Sequence, residues 1–495
     1  MSSFSPRVAI AALATCAVFT SWSASAEDDK YIFRLKPGVL AQEIQSLSLN
    51  ARSFEPTYLD DIWNFDFSTL LTAEGIIPSD ISWEISGSAM SWLLIDGNGK
   101  VEGTPTEAGT YELTVTASSG DVTGSQTYTL NVEADKPFEA VKIAAGYNHT
   151  CAITKAGGVA CWGQNNRGQL GSGSNTPYNS LVPIQVPGLE TGVTEIVASY
   201  YHTCVIQNGG AKCWGDNREG QLGNSNAGSI AYSPVQVSGM ESGVASVSTS
   251  RNASCAVQNG AAKCWGDSNY HNVHSNTPVI IPGLEENVSE LSIGQYSACA
   301  IQSGAAECFG RLYGGLMGDG TNYDDLPSGT VRYELSQVQG LSSGVTSIDV
   351  FITHSCANHY GFLKCWGRND SGQIGDGTNN MAYSPVQVIG LTSDVFALSS
   401  SENYTPENIH TCSVGTSGAL ECWGMNLPGY APGSNSYQAM VASGMAAGIS
   451  AISIGYNHSC AIQEGTVVCW GSNSFGQLGD GTTTSSDVPV QTVEG

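Results

Sequence analysis

Fourteen cysteines fall into seven evenly recurring pairs: Cys151/Cys161, Cys204/Cys213, Cys255/Cys264, Cys299/Cys308, Cys356/Cys365, Cys412/Cys422 and Cys460/Cys469. Thiols at fixed spacing can close disulfides or, as thiolates, hold a metal. Local geometry favours the first. In the stretch from Gly455 to Gly471, two strand-like runs, Cys460–Gln463 and Thr466–Cys469, flank the two-residue turn Glu464-Gly465. Such a turn makes the two cysteines direct partners in an antiparallel pair. Their Cβ atoms then lie about 4.5–5.5 Å apart, within reach of a bridge. Five pairs share the nine-residue offset; the first and sixth have ten, which suits a three-residue turn with a bulge. Zinc is the competing reading, but it wants two close pairs brought together, whereas each pair here faces itself across a hairpin.

Histidine is the second repeated group. His149, His202, His354, His410 and His458 each stand two residues before the first cysteine of a pair. A metal-binding ring is one reading, but repeat-equivalent positions spread too far apart to share one ion at about 2 Å bonds. A side chain fixing the loop of its own unit is the expected role, with no metal site. The Asp-Gly-Thr stretches at Asp319, Asp376 and Asp480 read as turns rather than calcium loops. No nucleophile elbow, phosphate loop, His-Glu-x-x-His helix or dinucleotide fingerprint occurs, so no catalytic residue and no cofactor is expected.

The elements that must position these groups follow from the chain's organisation. Residues 1–26 read as a secretory signal: Arg7, an apolar run Val8–Phe19, and Ala24-Ser-Ala26 before an acidic stretch. That run is shorter than the roughly 20 residues a membrane span needs. Leu13-Ala-Thr-Cys16 approaches a lipid-attachment box, with Thr15 a poor fit before the cysteine. Removing the signal removes Cys16 and leaves only paired cysteines, as an exported, oxidised protein requires. A secreted or periplasmic location is expected. The net charge of −26, with 44 acidic against 18 basic residues, excludes the basic surface that nucleic acid demands.

Residues 27–54 form an N-terminal segment without an assignable role. Residues 55–134 lack cysteine and alternate apolar positions between turns, with strands expected at Ile81–Ile85, Trp92–Ile95, Thr110–Ala117 and Thr127–Val132. The run from Val101 to Tyr111 resembles the bacterial putative-immunoglobulin and cadherin-like modules, which implies an immunoglobulin-like β-sandwich. Such modules sometimes bind calcium; Asp60, Asp61 and Asp66 read instead as solvated turn carboxylates.

From Phe138 to Gly495 the chain is one array with a mean period of about 51 residues, (469 − 161)/6 between second cysteines. Each unit runs from an apolar strand through a loop to the cysteine hairpin. Trp-Gly follows in six units and Phe309-Gly310 in the fourth. A loop such as Gly168-Gln-Leu-Gly171 and a Pro-led strand close the unit. A period near 50 with four short strands is a propeller pattern. In this order the motifs resemble the regulator of chromosome condensation repeat family, which implies a seven-bladed β-propeller over 138–495. The chain departs from that pattern in unit three, with Asp267–Asn276 in place of the Gly-Gln-Leu-Gly loop, and in unit six, with Met425–Gly433. Unit four expands the same loop to Arg311–Tyr333. The expected fold is all-β: a seven-bladed propeller behind an immunoglobulin-like sandwich.

Up-down connectivity puts the loop before each hairpin and the loop after each Trp-Gly at one end of every unit. Tyr147, Tyr200 and Tyr456 share that end on units that become consecutive once the ring closes, and Tyr201, Tyr296, Tyr313, Tyr323 and Tyr404 crowd it. Rigid tyrosines on a rigid scaffold suit binding. Tyr147, Tyr200, Tyr201, Tyr296, Tyr404 and Tyr456 are the expected partner-binding set. Among relatives of such propellers are exchange factors and inhibitors of secreted enzymes. The expected function is a secreted or periplasmic, non-catalytic binding protein with a protein partner. The alternative is a carbohydrate-directed lectin or polysaccharide-acting enzyme that uses the propeller mouth, with a cell-surface glycan as its target.

Overall fold

Apolar residues alternating with period two and interrupted by glycine turns can satisfy their backbone only in sheets. The described residues hold strands and short 3-10 turns, and no α-helix. The computed structural model describes residues 46–494 apart from 59–61, 75, 77–79, 89–91, 134, 269–271, 324–325, 328–329, 402–408 and 428–433, together with the backbone of 26–27 and 30–31. The signal reading, Cys16, Asp60, Asp61 and Tyr404 lie outside the described residues, as does the side chain of Tyr313. Two compact units emerge, Met1–Lys136 and Pro137–Gly495.

In the first unit, Thr57–Tyr58, Val122–Glu133, Gly109–Ser119 and Ser82–Gly87 form one sheet in that order. Trp63–Asp66, Lys100–Gly103 and Leu93–Ile95 form a second, and Ser46–Leu49 pairs with Leu71–Glu74. Phe67, Leu93, Val101, Leu113, Val115, Tyr128 and Leu130 are buried together between them. A turn forms at Asp96, whose carboxylate accepts from the N–H groups of Asn98 and Lys100, both at 2.9 Å. Asp66 likewise serves a turn, accepting from Ser68 N–H at 3.0 Å.

The second unit is seven four-stranded antiparallel sheets. The first comprises Ala140–Ala145, His149–Thr154, Val159–Gln164 and Asn179–Gln185; the last comprises Ile449–Ile454, His458–Gln463, Thr466–Gly471 and Ser486–Gln491. In the five shorter hairpins both turn residues have positive φ, as at Glu464 (+52°) and Gly465 (+90°). That conformation matches strand twist and fixes the register. Cys460 therefore faces Cys469 directly. The same opposition holds for Cys204 and Cys213, Cys255 and Cys264, Cys299 and Cys308, and Cys356 and Cys365. The two longer hairpins reach it too, pairing Cys151 with Cys161 and Cys412 with Cys422. All seven pairs are bridged as expected, with Cα atoms 4.0–4.1 Å apart.

The Trp-Gly motif marks a bulge. Pairing with the fourth strand slips between the second cysteine and this glycine in every sheet, and the seven glycines have φ between +94° and +127°. At Gly215 a Cβ would sit 2.3 Å from the Tyr201 carbonyl oxygen, with φ at +104°. Gly215→Ala should therefore cost about 3 kcal/mol. At Gly239, where φ is +73° and no atom lies within 4 Å of a built Cβ, alanine should cost about 1 kcal/mol. Guanidinium unfolding of the two variants checks this; equal costs would refute the steric account.

A ring results because each sheet buries its face against the next. Trp214 of the second sheet packs among Cys151, Leu170 and Val186 of the first. Cys460, Ile462 and Leu478 of the seventh pack against Ile143 and Trp162 of the first. Closure uses the segment from Pro137 to Ala140. Phe138 N–H donates to Thr492 O at 2.8 Å, and Phe138 O accepts from Val467 N–H at 2.9 Å. Phe138 thus does for the seventh sheet what Leu189, Met240, Leu284, Leu341 and Met445 do for the sheets they follow.

The Gly-Gln-Leu-Gly loops fasten neighbours. The Gln169 carbonyl accepts the indole N–H of Trp214, on the next sheet, at 2.9 Å. Gln221, Gln373 and Gln477 treat Trp265, Trp423 and Trp162 alike, and Leu316 serves Trp366. Two of the departures noted in the sequence meet at one seam. Unit three lacks the loop that would supply a carbonyl to unit four, and unit four carries Phe309, which has no N–H to satisfy.

Candidate functional site

Antiparallel alternation places the loop between first and second strands, and the loop between third and fourth, at one end of every sheet. On that end Tyr147 and Tyr456 stack with ring centroids 4.2 Å apart, and Tyr200 and Tyr201 lie 5.3 and 5.6 Å from Tyr147. The first, second and seventh sheets supply these rings, adjacent because the ring closes. Tyr147, Tyr201 and Tyr456 are partly exposed, whereas Tyr200 is 6% exposed. Tyr200 thus props the cluster from beneath rather than presenting a surface. Tyr296 belongs to the fourth sheet and stands apart from the cluster under Arg311, whose guanidinium is 4.9 Å from its ring. Burial and the neighbouring Tyr456 and Tyr201 push the Tyr147 hydroxyl up, so it stays protonated.

Four of the five repeated histidines also bond to the next sheet, which goes beyond the expected fixing of their own loops, and His410 makes no such bond. His149 Nε2 meets Thr203 Oγ1 at 2.9 Å, His202 meets Ser254 Oγ at 2.9 Å, and His354 meets Thr411 Oγ1 at 3.0 Å. His458 meets Thr150 Oγ1 at 2.8 Å, carrying the series across the closure. Burial drives their pKa down to about 3 at His149, His354 and His458, and about 4 at His202 and His410. All are neutral at physiological pH. Among the described residues no group of three or more His, Cys, Asp or Glu could hold a metal ion. Asp376 and Asp480 each accept from the backbone N–H and hydroxyl of the threonine two residues on, so these Asp-Gly-Thr stretches are closed turns.

Inner strands line a central channel. Ser248, Ser292, Ser399 and Ser453 occupy equivalent positions, and each hydroxyl accepts a backbone N–H from the next sheet at 2.9–3.0 Å. In the fifth sheet that position is Asp349. Burial, then the charge of Glu290, raises its pKa to about 8. Burial, opposed by the Ile348 N–H and assisted by Glu195, raises Glu290 to about 7. Glu195 is paired with Lys142 at 2.6 Å. Sequence reasoning missed this pair; the available signal was a lone aspartate in a serine series.

Two cavities open on the tyrosine end. One, about 190 Å³, is the channel mouth, lined by serines, Tyr200 and Arg251. The other, about 430 Å³, lies between the sixth and seventh sheets against His410, Tyr456, Asn457, Trp470, Ser485 and Asp487. No cysteine lines either cavity. The second cysteines, Cys161, Cys213, Cys264, Cys308, Cys365, Cys422 and Cys469, sit in the third strands of their sheets, each bonded to its partner in the second strand. All seven are fully buried, so these sulfurs hold the scaffold and offer no group to a ligand.

Comparison with known proteins agrees with this architecture. Profiles of the regulator of chromosome condensation (RCC1) repeat match residues 140–169, 193–221 and 449–477, and residues 156–206, 208–257 and 464–494. A putative Ig domain profile matches residues 80–133. The probable E3 ubiquitin-protein ligase HERC4 of Homo sapiens is 35% identical over 94 residues, 19% of this chain and 9% of that one. The E3 ubiquitin-protein ligase HERC2 of Homo sapiens is 28% identical over 266 residues, 51% of this chain and 5% of that one. The X-linked retinitis pigmentosa GTPase regulator of Homo sapiens is 39% identical over 108 residues, 21% and 10% of the two chains. This chain therefore spans a tenth or less of each of those relatives. Prp20p from Saccharomyces cerevisiae, described with its binding to Gsp1p and histones, superposes with a TM-score of 0.57 at 17% identity, over 72% of this chain and 87% of that one. Yeast RCC1 bound to Kap60 gives 0.56 at 17% identity, over 72% and 85%.

Proposed function

We propose, on the premise that this chain carries regulator of chromosome condensation repeats behind a putative Ig domain, that it is an exported, non-catalytic binding protein. Residues 138–495 act as a seven-bladed propeller that docks a protein partner on its tyrosine end, and residues 55–134 serve as an immunoglobulin-like spacer. One observation carries the reading: Tyr147, Tyr201 and Tyr456 converge from consecutive blades into a partly exposed aromatic cluster. Rigid aromatic side chains bury much area at little entropic cost, which is why they dominate binding energy. Seven bridges among fourteen cysteines support an oxidising compartment. The ubiquitin ligases share only a repeat region with this chain, so their activity is not carried over.

Partner capture from envelope and secreted fractions, followed by affinity measurement on the purified pair, tests the face. Tyr147→Ala with Tyr456→Ala should weaken binding about 30-fold, as loss of a binding hot spot does, while the unfolding midpoint changes little. Unchanged affinity would overturn the assignment. The cavity between the sixth and seventh blades favours a second reading, a carbohydrate ligand. Its volume of about 430 Å³ is within the range of small-molecule sites, and the partly exposed Tyr456 offers a face on which a sugar ring can stack. A glycan array with Asp487→Asn, an exposed residue of that cavity, as control separates the two.

A further inference from the structure

The propeller segregates its cations. All six arginines, Arg167, Arg218, Arg251, Arg311, Arg332 and Arg368, lie at the tyrosine end, in its loops or at the strand ends that enter them. All five lysines, Lys142, Lys155, Lys212, Lys263 and Lys364, lie in the opposite halves of the strands or in a hairpin turn. Arginine is the cation suited to interfaces, because its planar fork matches a carboxylate and stacks on aromatic rings.

Three of the six already have acids beside them: Arg218 with Asp216 at 2.7 Å, Arg332 with Asp319 at 3.0 Å, and Arg368 with Asp370 at 2.7 Å. Arg251 differs. It is exposed, its guanidinium lies 5.1 Å over the Tyr200 ring, and among the described residues no carboxylate stands within ion-pair distance. Its surroundings are the serine-lined channel mouth and the tyrosine cluster, rich in hydroxyl donors. Asp349, the acid among the residues lining that mouth, has its carboxyl pushed up to about 8 by burial and so does not balance it. At about 190 Å³ the mouth is smaller than a typical small-ligand site, a size that suits one side chain of a larger partner entering beside Arg251.

Resting on the protein-docking reading above, we infer that the partner inserts an aspartate or glutamate carboxylate at the channel mouth, where Arg251 receives it beside the hydroxyls of the tyrosine cluster. A guanidinium fixed on an aromatic ring presents two parallel N–H groups to a carboxylate. The chain's acidic surroundings do not forbid this, since exposed charges more than about 10 Å away are largely screened at physiological salt.

The test uses the full mature chain on an array of capped 12-residue peptides, each acidic peptide printed beside its Asn/Gln counterpart, with uronate oligosaccharides on the same slide. Bound peptides should lose at least tenfold in affinity when one acid becomes its amide. Arg251→Gln should abolish that difference, and Arg251→Lys should restore part of it. Binding that is lost with Tyr147→Ala but indifferent to the acid and to Arg251→Gln overturns the carboxylate anchor alone. Binding unchanged by Tyr147→Ala, or no peptide bound at all, overturns the docking face with it. Capture of uronates without peptides overturns the protein source of the carboxylate. Because Arg251 is exposed, thermal unfolding of Arg251→Gln should match the parent, which excludes a folding defect.

Discussion

Replacing one cysteine pair, Cys356 and Cys365, by alanine should lower stability by about 2–3 kcal/mol, and reducing all seven bridges in denaturant should prevent refolding. Closing a loop of about ten residues removes that much chain entropy from the unfolded state. Each sheet is a small unit that buries its face only against its neighbours, so losses in several sheets weaken every seam. The seven effects should not sum, because the turn at Tyr360-Gly361, like the other positive-φ turns, already biases its hairpin in the open chain. The kinetics should be equally telling. All fourteen bridged cysteines are 0–1% exposed, so reductant reaches them only through opening of the ring. Alkylation with mass detection should find no modified bridge cysteine in the folded chain and all fourteen after reduction in guanidinium. Rapid reduction under native conditions, or a pair removed without cost, would show that the bridges do not staple the blades.

Much of this was legible because the relevant geometry is local. A two-residue turn fixes the partner of Cys460 as Cys469 within a dozen residues, and the same logic repeats seven times. The Gly-Gln-Leu-Gly loop, the Trp-Gly bulge and the closing strand are likewise contained within one unit. What escaped the sequence is what passes between units. Register describes only a residue's own sheet, whereas the partner of His149, Thr203, is 54 residues away on the next one. That unit three lacks the loop carbonyl just where unit four lacks an indole N–H is visible only when the two sheets are set side by side. The tyrosine end was legible from connectivity, and its division into exposed and buried rings was not. Tyr147 and Tyr200 hold the same position in their units, yet Tyr200 lies beneath Arg251. Asp349 went unread because nothing before the ring closes brings Glu290 to it.

Stability should peak near pH 6.5–7, falling steeply on the acid side and gently on the alkaline side. The five histidines have folded pKa values of about 3 or about 4 against 6.5 for the free side chain. As pH falls below 6.5 the unfolded chain binds protons that the folded chain refuses, so the stability of burying neutral imidazole is lost through that window. Asp349 and Glu290 work in the opposite sense. Their folded values, about 8 and about 7, exceed the free values of 3.8 and 4.5, so the unfolded chain releases protons that the folded chain keeps. That loss accrues as pH rises from about 4 to 8, and the two acids titrate as a coupled pair. Near pH 5 the histidines win: five protons against two leave a net uptake of about three on unfolding. The slope is then about 4 kcal/mol per pH unit at most. Near pH 7 the histidines' uptake drops below what the two acids release, and the sign reverses. Guanidinium midpoints measured from pH 5 to 9 should trace this dome. Asp349→Asn should flatten the alkaline limb, which the general repulsion of a chain of charge −26 would not allow if repulsion were its cause. His149→Gln should shallow the acid limb by about one proton's worth. A profile still rising beyond pH 8, or an acid limb indifferent to His149, would mean that the channel acids and the inter-blade histidines are not held neutral by the ring.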